Sequence, residues 1–195
     1  MRARAAVLTV LISLLLAGAA AAGAKLQRTA DGKTLVGHTR NGFRIVSHHI
    51  DITMKAPRGW RVALPTEEPL KADVVCISPD KKSFASVIVR EASAGDRTDA
   101  PEDYLRQLRR FKDPKIEMRP AESVVIAGRR HLQVWNFFSD EWGQHFYVRI
   151  PADAATVDLE VESRDPMPDV SALRRTLKNL AKSYRSKPAT KKVEG

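Results

Sequence analysis

Gln144-His145-Phe146-Tyr147-Val148-Arg149-Ile150 and Thr156-Val157-Asp158-Leu159-Glu160-Val161-Glu162-Ser163 both alternate apolar and polar side chains with a period of two. Pro151–Ala155 lies between them as a short turn-forming break. Such a pair reads as antiparallel strands that bury one face. Working backwards, His131–Phe138, Glu122–Ala127 and Ile116–Arg119 extend the pattern, with breaks at Ser139–Gly143, Ala127-Gly128-Arg129 and Pro120. Residues 116–163 therefore predict an antiparallel meander of four strands, or five if the short first run pairs.

The alternation also divides the faces. If Leu132, Val134 and Phe138 pack with Phe146, Val148, Ile150, Val157, Leu159 and Val161, the opposite face carries Gln133, Trp135, Phe137, Tyr147 and Arg149. His131, His145, Asp158, Glu160 and Glu162 share it. Aromatics beside charges suit a recognition surface, so Trp135, Phe137, His145, Tyr147 and Arg149 are the candidate binding residues. The competing expectation is that a helix covers this face as a second core.

Upstream, Phe43–Met54 reads as one strand, with Val46, His48, Ile50, Ile52 and Met54 on one face and His49, Asp51 and Thr53 on the other. Ala56-Pro57-Arg58-Gly59 is a turn and Trp60–Leu64 resumes extended structure. Asp73–Ser78 and Ser83–Glu91 form a hairpin around Pro79-Asp80-Lys81-Lys82. Asp99-Ala100-Pro101-Glu102 starts a helix that runs to about Phe111. The last helix follows Asp169, with Val170, Leu173, Leu177, Leu180 and Tyr184 at helical spacing. Strands, helix, strands and helix make an α+β domain, an antiparallel sheet covered by helices.

The run Asp51-Ile52-Thr53-Met54-Lys55-Ala56-Pro57-Arg58-Gly59-Trp60 resembles the I-x-x-P-x-G-W entry of PsbP-like proteins. The hairpin, helix, meander and terminal helix ending in Ser183-Tyr184 follow that family's order over about residues 44–186. The resemblance implies an α/β/α sandwich. The family includes photosystem II extrinsic subunits and exported bacterial proteins of mostly unassigned role, and the resemblance implies a protein-binding and assembly role with no shared catalytic residue to carry over. Many of its bacterial members are lipoproteins, and this chain lacks the cysteine for that.

The address comes from the first 24 residues. Arg2 and Arg4 precede an uncharged run from Ala5 to Ala24 whose apolar centre, Val7–Leu16, gives way to small residues. This is the layout of a secretory signal peptide cleaved after Ala22 or Ala24, and the alternative is an uncleaved anchor. The expected organisation is a signal peptide (1–24), a flexible leader (25–42), the folded domain (43–186) and a basic disordered tail (187–195).

Hydrophobic residues at 43% and charged residues at 29% of 195 are globular values. The net charge of +10 is unevenly placed, since residues 25–169 sum to +1 and residues 170–195 to +7. Lys182, Arg185, Lys187, Lys191 and Lys192 are thus candidates for an anionic envelope surface, lipid or polymer. Export removes nucleic acid as a partner, and the alternative for this end is a solubilising terminus.

Chemistry is sparse. G-x-S-x-G, H-E-x-x-H, phosphate-loop and dinucleotide-loop patterns are all absent from the sequence. The lone Cys76, in an apolar run, reads as a buried thiol rather than a nucleophile. Asp140-Glu141 and Glu67-Glu68 read as solvated loop pairs. His49 and Asp51 form at most a weak metal pair, which His131 or His145 could complete only by tertiary approach, so no metal or cofactor is expected.

The reading is an exported, non-catalytic domain that binds a protein partner or envelope assembly. An adaptor held to anionic lipid or polymer by its basic end is the alternative, and an unrecognised hydrolase is third. N-terminal sequencing of the exported chain is expected to begin at Gly23 or Lys25, with release by osmotic shock. Recovery of Met1 in the membrane fraction contradicts this.

Overall fold

The computed structural model describes residues 25–30, 32–64, 72–92, 117–126, 130–139, 143–152 and 154–190. Twelve strands and one helix are formed there: β1 Gln27–Arg28, β2 Leu35–Thr39, β3 Gly42–Val46, β4 Ile50–Lys55, β5 Arg61–Ala63, β6 Val74–Ile77, β7 Ser83–Glu91, β8 Glu117–Ile126, β9 Arg130–Ser139, β10 Gly143–Pro151, β11 Ala155–Ser163, α1 Val170–Ser183 and β12 Arg185–Pro188. All pairings are antiparallel. A large sheet has the order β5-β6-β7-β11-β10-β9-β8, and a small one the order β1-β2-β3-β4-β12. The architecture is an α+β sandwich dominated by antiparallel sheet. The expected helix over 99–111 lies outside the described residues, as do the Glu67-Glu68 and Asp140-Glu141 pairs.

The β10–β11 register sets Phe146, Val148 and Ile150 opposite Val161, Leu159 and Val157. These six side chains are buried and join Ala85, Val87, Val74, Cys76, Leu132, Val134, Val124 and Ile126 in one core. The same core takes in Phe43, Ile45, Ile52 and Met54 of the small sheet and Leu173, Leu177 and Leu180 of α1. Both the small sheet and the helix thus pack onto one face of the large sheet. Cys76 lies within that core fully buried, and burial pushes its thiol up to about 12.

Asp169 caps α1, its carboxylate accepting from Ala172 N at 2.9 Å. At the other end Ser183 Oγ donates to Leu180 O and accepts from Lys55 N at 3.0 Å, tying the helix end to β4. The Pro57–Trp60 turn closes with Trp60 N donating to Pro57 O at 3.1 Å, and Gly59 takes the left-handed φ of 79° that this turn requires. Trp60 then packs half-buried against the core.

Four expectations are corrected. Residues 25–42 are not a flexible leader: they form β1 and β2, and Val36 is buried opposite Ile45. Phe43–Met54 is a hairpin, because Ser47 turns the chain. Its N–H donates to Ile50 O at 2.9 Å and its Oγ accepts from His49 N and Ile50 N, leaving His48 exposed. The two runs either side of Pro120 are one strand, β8, with a register shift between Pro120 and Glu122 at the sheet's edge, where proline is tolerated. Lys187 and Pro188 are not a disordered tail, since β12 pairs them with Asp51 and Ile50 of β4.

Leu177 is fully buried at the centre of the helix contact. Truncating such a leucine costs roughly 2–5 kcal/mol, a large part of the roughly 5–15 kcal/mol that stabilises a domain. Leu177→Ala is expected to lower the melting temperature by several degrees in calorimetry. An unchanged transition indicates an undocked helix.

Candidate functional site

The second face of the large sheet is built by the same register. Arg149 sits opposite Asp158, Tyr147 opposite Glu160 and His145 opposite Glu162, so all six side chains project to the side away from α1. Arg149 grips Asp158 as a fork, Nε to Oδ1 at 2.8 Å and Nη2 to Oδ2 at 3.1 Å. Arg90 of β7 adds a bond from Nε to Oδ2 at 3.1 Å. Arg149 and Asp158 are both buried, so each depends on the other for compensation. Burial, reinforced by the charge of Asp158, pushes the Tyr147 phenol far above its ordinary range.

Further along the strands, His145 Nδ1 lies 2.6 Å from Glu160 Oε1 and 3.5 Å from Glu162 Oε2. Burial and the neighbouring Glu160 charge raise the Glu162 carboxyl, partly offset by His145 and Arg164. Next to this row, Trp135 is half-buried opposite Tyr147, and its indole Nε1 is shielded without a hydrogen-bond partner among the described residues.

This geometry corrects the picture of an open recognition surface. His145, Tyr147 and Arg149 are buried and belong to a charged layer inside the protein. Phe137 and His131 lie on β9 with side chains outside the described residues. Phe138, expected in the core, is instead 50% exposed near the end of β9. The pairing of His49 with Asp51 also fails: His49 is exposed, whereas Asp51 is buried and held by Arg44, Nε to Oδ1 at 2.8 Å and Nη2 to Oδ2 at 2.5 Å.

Asp51 marks a second site, on the outward face of the small sheet. Arg44, Thr53 and Arg185 are register partners across β3, β4 and β12, with Lys55 and Lys187 on the same face. Lys187 Nζ approaches Asp51 at 3.5 Å. Thr53, Lys55, Arg185 and Lys187 are exposed. Lys182 is exposed in the last turn of α1. Lys191 and Lys192 lie outside the described residues. A groove of about 270 Å³ borders this face between the Pro57–Trp60 turn and α1, with Lys55, Arg58 and Asn179 along it and Leu180 in its wall.

No protein-family model and no curated protein matches the chain. Among solved structures, it is similar to cyanobacterial PsbP (CyanoP) from Synechocystis sp. PCC 6803, at 11% identity over 71% of this chain and 92% of that one, with a TM-score of 0.48. It is also similar to LpqN of Mycobacterium tuberculosis, described as involved in cell envelope biogenesis, at 14% identity over 72% of this chain and 84% of that one, with a TM-score of 0.41. Cyanobacterial PsbP is of the family that the Asp51–Trp60 stretch resembles. No described helix is long and apolar enough to cross a membrane.

Two predictions follow from these charges. Arg149→Met leaves Asp158 buried with a weaker counter-charge and is expected to cost roughly 3–5 kcal/mol in urea unfolding. Arg149→Met combined with Asp158→Leu removes both charges and should recover most of that loss. Recovery of nothing by the double variant contradicts mutual compensation. For Asp51, burial pushes the carboxyl up, but the Arg44 bonds and charge, with Lys187 behind them, outweigh burial and hold it below its usual range. The stability this contributes is complete above the unfolded value of about 3.9 and is lost as pH falls through the folded value. Asp51→Asn should therefore weaken the pH dependence of stability below about pH 4, read as melting temperature against pH.

Proposed function

We propose that the chain is an exported, non-catalytic binding domain that works at the cell envelope and docks on an anionic surface through the outward face of its small sheet. The observation that carries this reading is the exposed set Lys55, Arg185 and Lys187 around a single carboxylate, Asp51, already matched by Arg44. Lys182 and Arg58 extend the positive field beside it. Each such residue near an anionic membrane contributes about 1 kcal/mol, falling off within a Debye length. Phe146 and Tyr147 of the meander are buried and Trp135 is half-buried, which favours charge as the means of attachment. The envelope location rests on the leader pattern of residues 1–24. Binding of a protein partner or assembly is the second reading, favoured by Phe138 half-exposed near the end of β9.

The test is co-sedimentation with vesicles containing anionic phospholipid. Binding is expected at low ionic strength and release as salt approaches 0.15 M, where screening acts over about 8 Å. Lys55→Glu/Arg185→Glu should abolish binding, whereas Lys81→Glu/Arg175→Glu, an equal charge change outside β3, β4 and β12, should leave most of it. Equal losses in both variants reduce the effect to net charge. Truncation must begin at residue 191, because removing residues from 186 also strips β12 from β4.

A further inference from the structure

The charged layer holds a feature that surface docking does not use. We propose that His145, Glu160 and Glu162 bind one divalent transition-metal ion. One ligand atom from each of the three residues falls within 4.8 Å of the others. The arrangement follows from the strands: Glu160 and Glu162 are two residues apart on β11 and share a face, and His145 of β10 is the direct cross-strand partner of Glu162. Both strands are interior to the large sheet, flanked by β9 and β7, so the three Cα positions are held from both sides.

The distances suit a shared ion. Zinc sits about 2.0–2.2 Å from nitrogen and oxygen ligands, which in a tetrahedron separates the donors by about 3.4 Å. His145 Nδ1 stands 2.6 Å and 3.5 Å from the two carboxylates, so small side-chain movements open that space. The imidazole is only 3% exposed, while the Glu160 and Glu162 side chains keep 14% and 24% of their surface in solvent. The ring is thus held in place, and both carboxylates keep some contact with solvent.

The donor set points the same way. Glu160 and Glu162 both face the His145 imidazole across β10–β11. One nitrogen and two carboxylate oxygens favour zinc, manganese or ferrous iron over the all-oxygen preference of magnesium and calcium. Three protein donors leave a coordination position for water or an outside ligand.

The experiment is calorimetric titration of the tag-free, chelator-treated full chain with Zn²⁺, with Co²⁺ absorption as a second readout of ligand geometry. One Zn²⁺ per chain is expected, with a higher melting temperature and little competition from equal Mg²⁺. Glu160→Gln and Glu162→Gln, which keep the side-chain shape, should each weaken binding at least tenfold, and His145→Ala should remove the Co²⁺ band. His48→Ala/His49→Ala should leave binding intact. The proposal is overturned by absence of Zn²⁺ binding, by affinity unchanged in the two glutamine variants, or by loss confined to the His48/His49 variant. None of these outcomes depends on vesicle docking, so the two ideas fail separately.

Discussion

Asp158 carries a charge inside the large sheet, and burying a carboxylate is tolerable only beside a well-placed cation. Arg149 meets it directly across β10–β11, and Arg90 reaches it from β7 on the other side. Three adjacent strands are therefore locked in one register. A slip of one residue turns every side chain to the opposite face. It would drive Arg149 and Asp158 into the layer now filled by Val148 and Leu159, and expose those two to the charges. The apolar pairs supply most of the stabilisation, but the ion pair makes the alternative registers expensive. His145, Glu160 and Glu162 inherit their proximity from the same alignment.

The other face of that sheet decides how the rest of the chain is placed. The small sheet and α1 share a single core against it, and they are also joined to each other. Ser183 links the helix end to Lys55 of β4, and Tyr184, buried one residue later, turns the chain into β12. The fourth cationic position on the outward face, Lys187, exists because the helix delivers β12 to the free edge of β4. Docking of Leu173, Leu177 and Leu180 thereby controls a charged surface that none of them touches.

Legibility followed burial. The strands over 122–163, the hairpin at 73–91 and α1 were readable because each hides one face, which imprints a period of 2 or 3.6 on the sequence. The grouping of His145, Tyr147, Arg149, Asp158, Glu160 and Glu162 on one face came from the same alternation. What alternation does not reveal is whether that face is open or covered, so both expectations stood until the burial of His145, Tyr147 and Arg149 made it an interior layer. β2 was hidden by Gly37 and by its short, polar neighbours, since only Val36 is an apolar anchor that is fully buried. β12, Arg185-Ser186-Lys187-Pro188, is exposed throughout, so nothing in its pattern records the pairing that its position after α1 imposes. The Phe43–Met54 run kept its alternation across the Ser47 turn, which disguised two strands as one.

The two charged faces differ in what balances them. On the large sheet, Asp158 is matched within the protein by Arg149 and Arg90, and His145 lies beside two carboxylates in the same layer at low solvent exposure. On the small sheet, the carboxylate is satisfied and the surplus cations stand in water, where their self-repulsion is screened and costs little. A compact group of buried donors suits a small ion, whereas a surplus of exposed cations suits an extended surface of opposite sign, which needs no pocket. The first kind of attachment is governed by ligand geometry and is insensitive to salt, and the second is weak per residue and strongly salt-dependent. Charge is divided unevenly along the chain as well, since residues 25–169 sum to +1 and residues 170–195 to +7.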